Sequence, residues 1–299
     1  MADKEFKTID EQIQILLSRG LNISDIEQAS DFLLHNNYYR ISGYSLTLRS
    51  HDVFHENASL QNIIDIYTFD HKLRHLLLAY IDIIEVSFKS VYSYEFTKRY
   101  GATGHLDSKY FTDIQKHSEI IKKAEKQQNS RLPHEAYIKH FVVDLKQNIP
   151  LWAYVDLLTI SDISFLYKIS TEDVQKAVAD TFGILVKGPN LLAKFMHSIT
   201  ILRNLCAHGV RLYNRLFEQK PSLNKQQRQM LHQDDNGIDN AHLFGYLLIM
   251  QRLLKNEDFI AMFQEISILH TKYSFVNMRY YGFPENWRTL LLSNNYNIK

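Results

Sequence analysis

The segment "LRNLCAHGVRLYNR" (202–215) carries residue types that could cleave RNA without a metal ion. Arg203, Asn204 and His208 follow the spacing Arg-Asn-x-x-x-His. A histidine can act as general acid or base near neutral pH, because its ordinary pKa is about 6.5. An arginine places a fixed cation against phosphate oxygens, Asn204 could orient the histidine, and RNA supplies its own 2′-hydroxyl as nucleophile. The pattern therefore predicts acid–base cleavage of an RNA phosphodiester.

The spacing itself limits this interpretation. Positions five apart on an α-helix differ by about 140° in direction, so Arg203 and His208 do not share one face of a straight helix. The two side chains converge if the helix ends or bends near 207–209, or if two copies meet across a dimer axis. In a purely structural alternative, this is a helix end whose Arg and Asn bind carbonyls or pair with acids. The six residues alone do not separate the two interpretations.

Further polar residues follow the motif. Arg211 and Arg215, with Tyr213 between them, are predicted to contact RNA phosphates beside the cut site. The alternative is that the two arginines pair with acidic residues of a core helix, such as Asp82 or Glu85. The choice between these depends on how the chain folds back on itself.

An aromatic and basic segment, "NNYYRISGY", precedes the motif by about 160 residues in the sequence. Tyr39 could stack on a base and Arg40 could contact a phosphate. Tyrosines in such a segment are more often core residues with a bonded hydroxyl. The Lys/Gln-rich stretch 109–129 and "NKQQRQMLHQ" are secondary candidates for RNA contact, with a solvated face as the alternative.

Composition and periodicity predict the elements that must position these residues. Gly (10) and Pro (5) make up about 5 % of the 299 residues, against a usual share of roughly 12 %, so we expect an all-α protein. Thr8 and Ser24 are predicted helix caps, and 59–100 reads as one nearly unbroken helix ended by "GATGH". The alternation over 41–48 allows a short strand or an irregular turn. We find no internal repeat or linker that would separate domains.

Charge and cysteine content exclude several classes of protein. The net charge is +1, so any polyanion site must be a local patch. One cysteine, Cys206, allows neither an intrachain disulfide nor a multi-cysteine metal cage, which fits a reducing cytosol. The pairs His71/His75 and His51/His55 have metal-ligand spacing, but nothing nearby completes a site. We expect no metal, no cofactor, no signal peptide, no membrane span and a cytoplasmic location.

The motif also resembles that of a known family. "RNLCAHGVRLYNR" is similar to the motif of the abortive-infection (Abi) proteins, the AbiD/AbiF-like group of the HEPN superfamily. The resemblance continues, in order, through "DEQIQILLSRGLNISDIEQASDFLLHNNYYRISGY", "YIDIIEVSFKS", "LWAYVDLLTISDISFLY" and "YYGFPENW". It therefore extends over most of the chain.

The resemblance implies a fold and an activity. It implies a HEPN-like four-helix up-and-down core with additional N-terminal, inserted and C-terminal helices, arranged as a homodimer that brings two motifs together. The implied activity is that of a metal-independent endoribonuclease toxin in phage defence or a toxin–antitoxin system, restrained or guided by a small RNA. We expect 1–50 to pack on a domain of 51–299 that contains an insertion around 105–149, all forming one compact unit.

Carried over by residue, the resemblance matches Arg203 and His208 to the catalytic pair and Asn204 to the adjacent polar position. Glu85 matches an acidic residue that orients Arg203, and Lys89 stands where relatives more often have Arg. RNA is the expected partner, whereas DNA and membranes are not. The alternative function is an RNA-binding protein that holds a structured small RNA without cutting it, and a third is a helical scaffold.

Overall fold

A computed structural model describes residues 5–184, 191–231, 233–234 and 237–293, and these residues form an all-α protein. The α-helices are α1 (Ile9–Ser18), α2 (Ile26–Asn36), α3 (Tyr38–Ser42), α4 (Leu60–Tyr100), α5 (Ile114–Arg131), α6 (Ala136–Lys139), α7 (Leu151–Tyr154), α8 (Ile160–Ile169), α9 (Glu172–Thr181), α10 (Leu191–Ala207), α11 (Lys225–Gln229), α12 (Leu243–Leu253), α13 (Asn256–Lys272) and α14 (Trp287–Ser293). Two antiparallel hairpins pair β1 (Arg49–Ser50) with β2 (Val53–Phe54) and β3 (Gln233–Asp234) with β4 (Gly237–Ile238). The predicted all-α fold class is confirmed.

The 41-residue helix α4 is the central element. Ser59 caps its N-terminus, and the side chains of Ser59 and Asn62 each accept a hydrogen bond from the backbone N–H of the other residue. The helix ends at Gly101, whose φ of +79° is accessible mainly to glycine. Apolar side chains at every third or fourth position are buried along its length, because α9, α10 and α13 pack against different parts of it. These contacts place α4 beneath the end of α10, where the Arg-Asn-x-x-x-His motif lies.

Helix α10 contacts α8 and α12 as well as α4, and α12 contacts α13. One cluster of buried apolar side chains extends from Ile13 to Leu291, so the first 50 residues share a core with the rest of the described chain. The narrower expectation of a HEPN-like four-helix core stays a prediction. In the segments that the structure describes, no helix is both long and apolar enough to cross a bilayer.

The N-terminal segment differs in two details from the sequence expectation. Thr8 caps α1 in a capping box with Glu11, as predicted. Helix α2 is capped by Asp25, whose side chain accepts from the Gln28 N–H, so the prediction of Ser24 as the cap was wrong by one residue. Of the two alternatives for 41–48, the strand is wrong, because α3 ends at Ser42 and turns follow it up to the 3-10 turn at Leu46–Leu48.

A buried polar cluster joins four segments that are distant in the sequence. Asp70 of α4 is fully buried and forms an ion pair with Arg74, which is 2 % exposed. The Asp70 carboxylate also accepts hydrogen bonds from the Tyr44 hydroxyl at 2.8 Å, the Tyr281 hydroxyl at 3.0 Å, and the backbone N–H groups of Leu212 at 3.2 Å and Tyr213 at 2.9 Å. This cluster fixes the chain after the motif against α4, the N-terminal segment and the C-terminal tail.

Candidate functional site

The motif lies at the C-terminal end of α10. The N–H of Gly209 donates to the Cys206 carbonyl at 3.1 Å and the N–H of Val210 to the Leu205 carbonyl at 2.9 Å, the hydrogen-bond pattern of a Schellman motif. Gly209 has a φ of +64°, as this helix ending requires. The helix therefore ends at Ala207, and the N–H of His208, the residue that follows, still donates to the Asn204 carbonyl at 3.0 Å.

Arg203 and His208 differ in burial and in the surface features that they line. Arg203 is half-buried and lines a cavity of about 570 Å³, whereas His208 is exposed and is not among the residues that line it. Asn204 is exposed, and its Oδ1 is 3.5 Å from Arg203 Nη1, at the outer limit of a hydrogen bond. Among the described residues no hydrogen bond joins Arg203 to His208, and the cavity that Arg203 lines does not include His208.

The cavity that Arg203 lines is a basic groove between α4, α5, the segment 156–162 and α10. Five cationic side chains and three carboxylates line this basic groove: Lys89, Lys123, Lys126, Arg131 and Arg203, with Glu85, Asp156 and Asp162. Positive charge is therefore in excess, although the chain as a whole is nearly neutral. A concave surface with excess positive charge attracts a polyanion.

Glu85 and Lys89 both lie in the basic groove, but their contacts differ from the expectation. They form an ion pair with each other at 2.8 Å across one turn of α4, and both side chains are largely buried. Among the described residues no hydrogen bond or ion pair joins Glu85 to Arg203. Glu85 therefore reduces the charge of Lys89 rather than orienting Arg203, while Arg203 forms no ion pair with a described residue.

Helix α5 supplies the groove residues that the motif did not indicate. Only His117, Ile120 and Ala124 are buried on it, so a narrow face packs on α8 and the rest is free to present Lys123 and Lys126. Three of the groove residues, Lys123, Lys126 and Gln127, lie in the Lys/Gln-rich stretch 109–129 that is a secondary candidate for RNA contact. Positions 123, 126, 127 and 131 fall on one face at helical spacing, which is the signal that singles them out within the stretch. The Lys123 ammonium is 3.3 Å from the Asp162 carboxylate, which holds α5 beside the segment 156–162.

The three residues after the motif have structural contacts instead of lining the basic groove. Arg211 donates to the Gly43 carbonyl. Tyr213 is 2 % exposed and its hydroxyl is 2.7 Å from Thr47 Oγ1. A ring buried to this extent has no face for a base, so the prediction that Tyr213 contacts RNA is wrong. Arg215 is half-buried beside Tyr246, and neither arginine pairs with Asp82 or Glu85 in the described chain.

A second polar surface surrounds His208. Arg40 donates to the Gly209 carbonyl at 2.6 Å, so α3 is tied to the end of α10 next to His208. Tyr39, adjacent to Arg40, is 86 % exposed and its ring is open to a ligand. Burial lowers the pKa of the nearby His71, and the charges of Arg74 and Arg40 lower it further.

The two histidine pairs with metal-ligand spacing do not belong to a larger cluster of metal-binding residues in the described part of the chain. The Nε2 atoms of His71 and His75 are 3.1 Å apart, whereas His55 is bonded to Ser50. Over the residues that the structure describes, no group of three or more His, Cys, Asp or Glu side chains could hold a metal ion. Neither pair therefore has the ligands of a closed metal site.

A protein-family model matches the part of the sequence that forms the basic groove and contains the motif. The model of the family described as Abi-like protein matches residues 31–214, more than half of the chain. The chain belongs to the Abi-like protein family. The matched range begins in α2 and ends just after the motif, so it contains every groove residue of this Abi-like protein as well as Arg40 and His208. No curated protein and no solved structure shows significant similarity to the chain.

Proposed function

We propose that this Abi-like protein is a metal-independent endoribonuclease toxin of abortive infection (phage defence) or of a toxin–antitoxin system, and that it binds RNA in the basic groove. The observation that carries the proposal is the position of Arg203, the motif arginine, among four lysine and arginine side chains in one cavity. Cationic groups neutralise phosphates and release their counterions, which gives sequence-independent affinity for RNA. The family description supports the role in abortive infection.

The proposed reaction is an internal transesterification. The RNA 2′-hydroxyl attacks the adjacent phosphorus, a bond forms from O2′ to phosphorus, and the bond from phosphorus to O5′ breaks. His208 accepts the 2′-hydroxyl proton or donates a proton to the departing O5′, and Arg203 stabilises the negative charge that grows on the phosphate oxygens. The products are a cyclic 2′,3′-phosphate and a free 5′-hydroxyl, with no other reactant consumed.

A second copy of the chain would supply the missing group. Because His208 is not in the groove that Arg203 lines, the reaction needs His208 of the partner subunit to approach that groove. An exposed apolar strip on α4, formed by Ile83, Val86 and Tyr94, which are 39 %, 59 % and 64 % exposed, supports such a contact. These three residues fall on one helix face, as a self-complementary dimer surface requires.

The second candidate is an RNA-binding protein that holds a structured small RNA without cutting it. The observation that favours it is the composition of the basic groove: it has cations for phosphates but, within one chain, no imidazole to move a proton. In this function the same residues bind RNA, and toxicity or its control depends on sequestration.

A cleavage assay separates the two functions. The purified protein is incubated with single-stranded RNA in EDTA, and we expect His208→Ala to lower the cleavage rate by roughly 10²- to 10⁴-fold while RNA affinity stays close to wild type. His35→Ala is the matched control, since His35 is an exposed histidine on α2, away from the groove. Equal rates for wild type and His208→Ala would exclude the catalytic role. Binding without any cleavage would leave the second candidate, and absence of RNA binding at low salt would exclude both.

A further inference from the structure

A second cavity, of about 710 Å³, lies next to the segment that lines the basic groove. Phe141 and Trp152 provide its aromatic surface, and Lys146, Gln147 and Asn148 provide its polar and charged surface. The volume lies within the range of about 300–1,000 Å³ that is usual for small-ligand sites. Among the residues used above for RNA binding and cleavage, none lines this aromatic cavity.

Trp152 is the most unusual side chain in the aromatic cavity. It is 55 % exposed, whereas the other tryptophan of the chain, Trp287, is 3 % exposed and packs on Phe263 and Phe283. Leaving a large apolar ring in water has a free-energy cost that a binding partner would relieve. Trp152 therefore offers an open stacking surface at the rim of the cavity.

The backbone around the cavity is also unusual. His140–Asp144 forms a π-helical turn, a form that is rare and frequent at functional sites. Lys146 has a φ of +50°, which costs free energy for a residue other than glycine. Hydrogen bonds from the Leu145 N–H to the His140 carbonyl and from the Gln147 N–H to the Phe141 carbonyl, both at 2.9 Å, hold this shape. The strained turn places Gln147 and Asn148 beside the aromatic rings.

The segment 150–162 connects the two cavities. Trp152 lines the aromatic cavity and Asp156 lines the basic groove, and both are exposed. They are separated by four positions, in α7 and the following 3-10 turn at Val155–Leu157, so their Cα atoms lie about 6–8 Å apart. Arg131 of α5 donates to the Asp156 carbonyl at 3.0 Å, which fixes the position of the groove edge nearest to Trp152.

We infer that the aromatic cavity binds an unpaired base of the RNA strand whose phosphates occupy the basic groove. This inference rests on the proposed function and names its substrate class as single-stranded RNA. Trp152 and Phe141 provide stacking faces, which every base can use. The Gln147 and Asn148 amides each offer a donor and an acceptor to a base edge, and Lys146 offers a cation to the adjacent phosphate. In a duplex the faces of a base are stacked and its Watson–Crick edge is paired, so a single strand is the expected ligand.

Tryptophan fluorescence tests the inference. In a Trp287→Phe variant Trp152 is the remaining tryptophan, and we expect a single-stranded RNA 12-mer to quench its emission to saturation, whereas the matching duplex does not. If Trp287→Phe fails to fold, the emission of Trp152 is obtained instead by subtracting the emission of Trp152→Phe from that of the wild type. Trp152→Ala should weaken binding of the 12-mer roughly 5- to 150-fold and Trp152→Phe much less. Phe6→Ala, at an aromatic residue 85 % exposed in α1's flanking segment, is the control.

Three results would overturn the inference. If the 12-mer binds and Lys126→Glu weakens it, but Trp152→Ala does not and no quenching occurs, the base site is wrong and the proposed function stands. If wild type binds no RNA at low salt, the proposed function fails and the inference falls with it. If adenosine monophosphate quenches Trp152 while Trp152→Ala leaves RNA affinity unchanged, the cavity belongs to a mononucleotide.

Discussion

Replacing Asp70 should destabilise the fold more than any change at the exposed residues of the motif. The Asp70 carboxylate accepts two tyrosine hydroxyls and two backbone N–H groups and pairs with Arg74, which is 2 % exposed. Asp70→Ala leaves that guanidinium buried without a counter-ion, at a cost of about 3–5 kcal/mol. The lost hydrogen bonds add about 1 kcal/mol each, so the total approaches the whole stability of a typical domain, about 5–15 kcal/mol.

The assay is urea unfolding followed by circular dichroism at 222 nm. We expect Asp70→Ala to be largely unfolded without urea, and Asp70→Asn, which keeps the shape, to lose roughly 3 kcal/mol. Adding Arg74→Met to Asp70→Asn removes the buried charge and should restore part of that loss, measured as a coupling free energy. Asp82→Ala, at an exposed position of α4, should change stability by less than about 0.5 kcal/mol. A loss below about 1 kcal/mol for Asp70→Ala would refute the reasoning.

Three further predictions concern other parts of the fold. Burial raises the pKa of the Cys206 thiol to about 12, so this single cysteine should resist a thiol reagent at pH 8 until urea unfolds the chain; fast labelling of the folded protein would contradict its placement. Burial, together with the charge of His117, lowers the pKa of His105 to about 4. Its contribution to stability is therefore complete above about pH 6.5 and is lost as the pH falls towards 4, by roughly 3 kcal/mol in total. The urea midpoint should fall further between pH 7 and pH 4.5 for wild type than for His105→Phe, and equal falls would contradict the prediction. Gly209→Ala forces a φ of +64° on alanine and should cost about 1 kcal/mol, with faster amide exchange at 208–210. Unchanged urea stability and unchanged exchange would contradict the need for glycine at this position.

The helices could be predicted to a large extent because their signals are local. The sequence predicts a nearly unbroken helix over 59–100 ended by "GATGH", and the structure has α4 capped by Ser59 and ended at Gly101. The cap of α2 could not be chosen in advance. Ser24 and Asp25 are adjacent, and both residue types are suitable N-caps. The direction in which the preceding loop enters the helix decides which side chain reaches a free backbone N–H of the first turn.

The candidate site was predictable only in part because its residues come from distant segments. The family resemblance singles out Arg203, Glu85 and Lys89, and these three residues line one cavity. Lys123 and Lys126 belong to the Lys/Gln-rich stretch 109–129, a secondary candidate on composition, but their place beside Arg203 depends on the packing of α5 on α8, a long-range contact that no local pattern specifies. Tyr213 was misassigned for a related reason: a polar residue near a motif looks functional, whereas Tyr213 belongs to a buried arrangement around Asp70, over 140 residues away in sequence.

Mixing two inactive variants tests the central claim most directly, namely that Arg203 and His208 act on one phosphate across a dimer. Arg203→Ala and His208→Ala are purified separately, mixed in equal amounts, exchanged through mild urea and assayed for RNA cleavage in EDTA. Half of the resulting dimers are mixed, and each of these holds one intact site when the two residues come from different subunits, so we expect about a quarter of wild-type activity. Activity that stays at the level of the separate variants, after subunit exchange has been demonstrated and with wild type active in the same assay, would contradict the account.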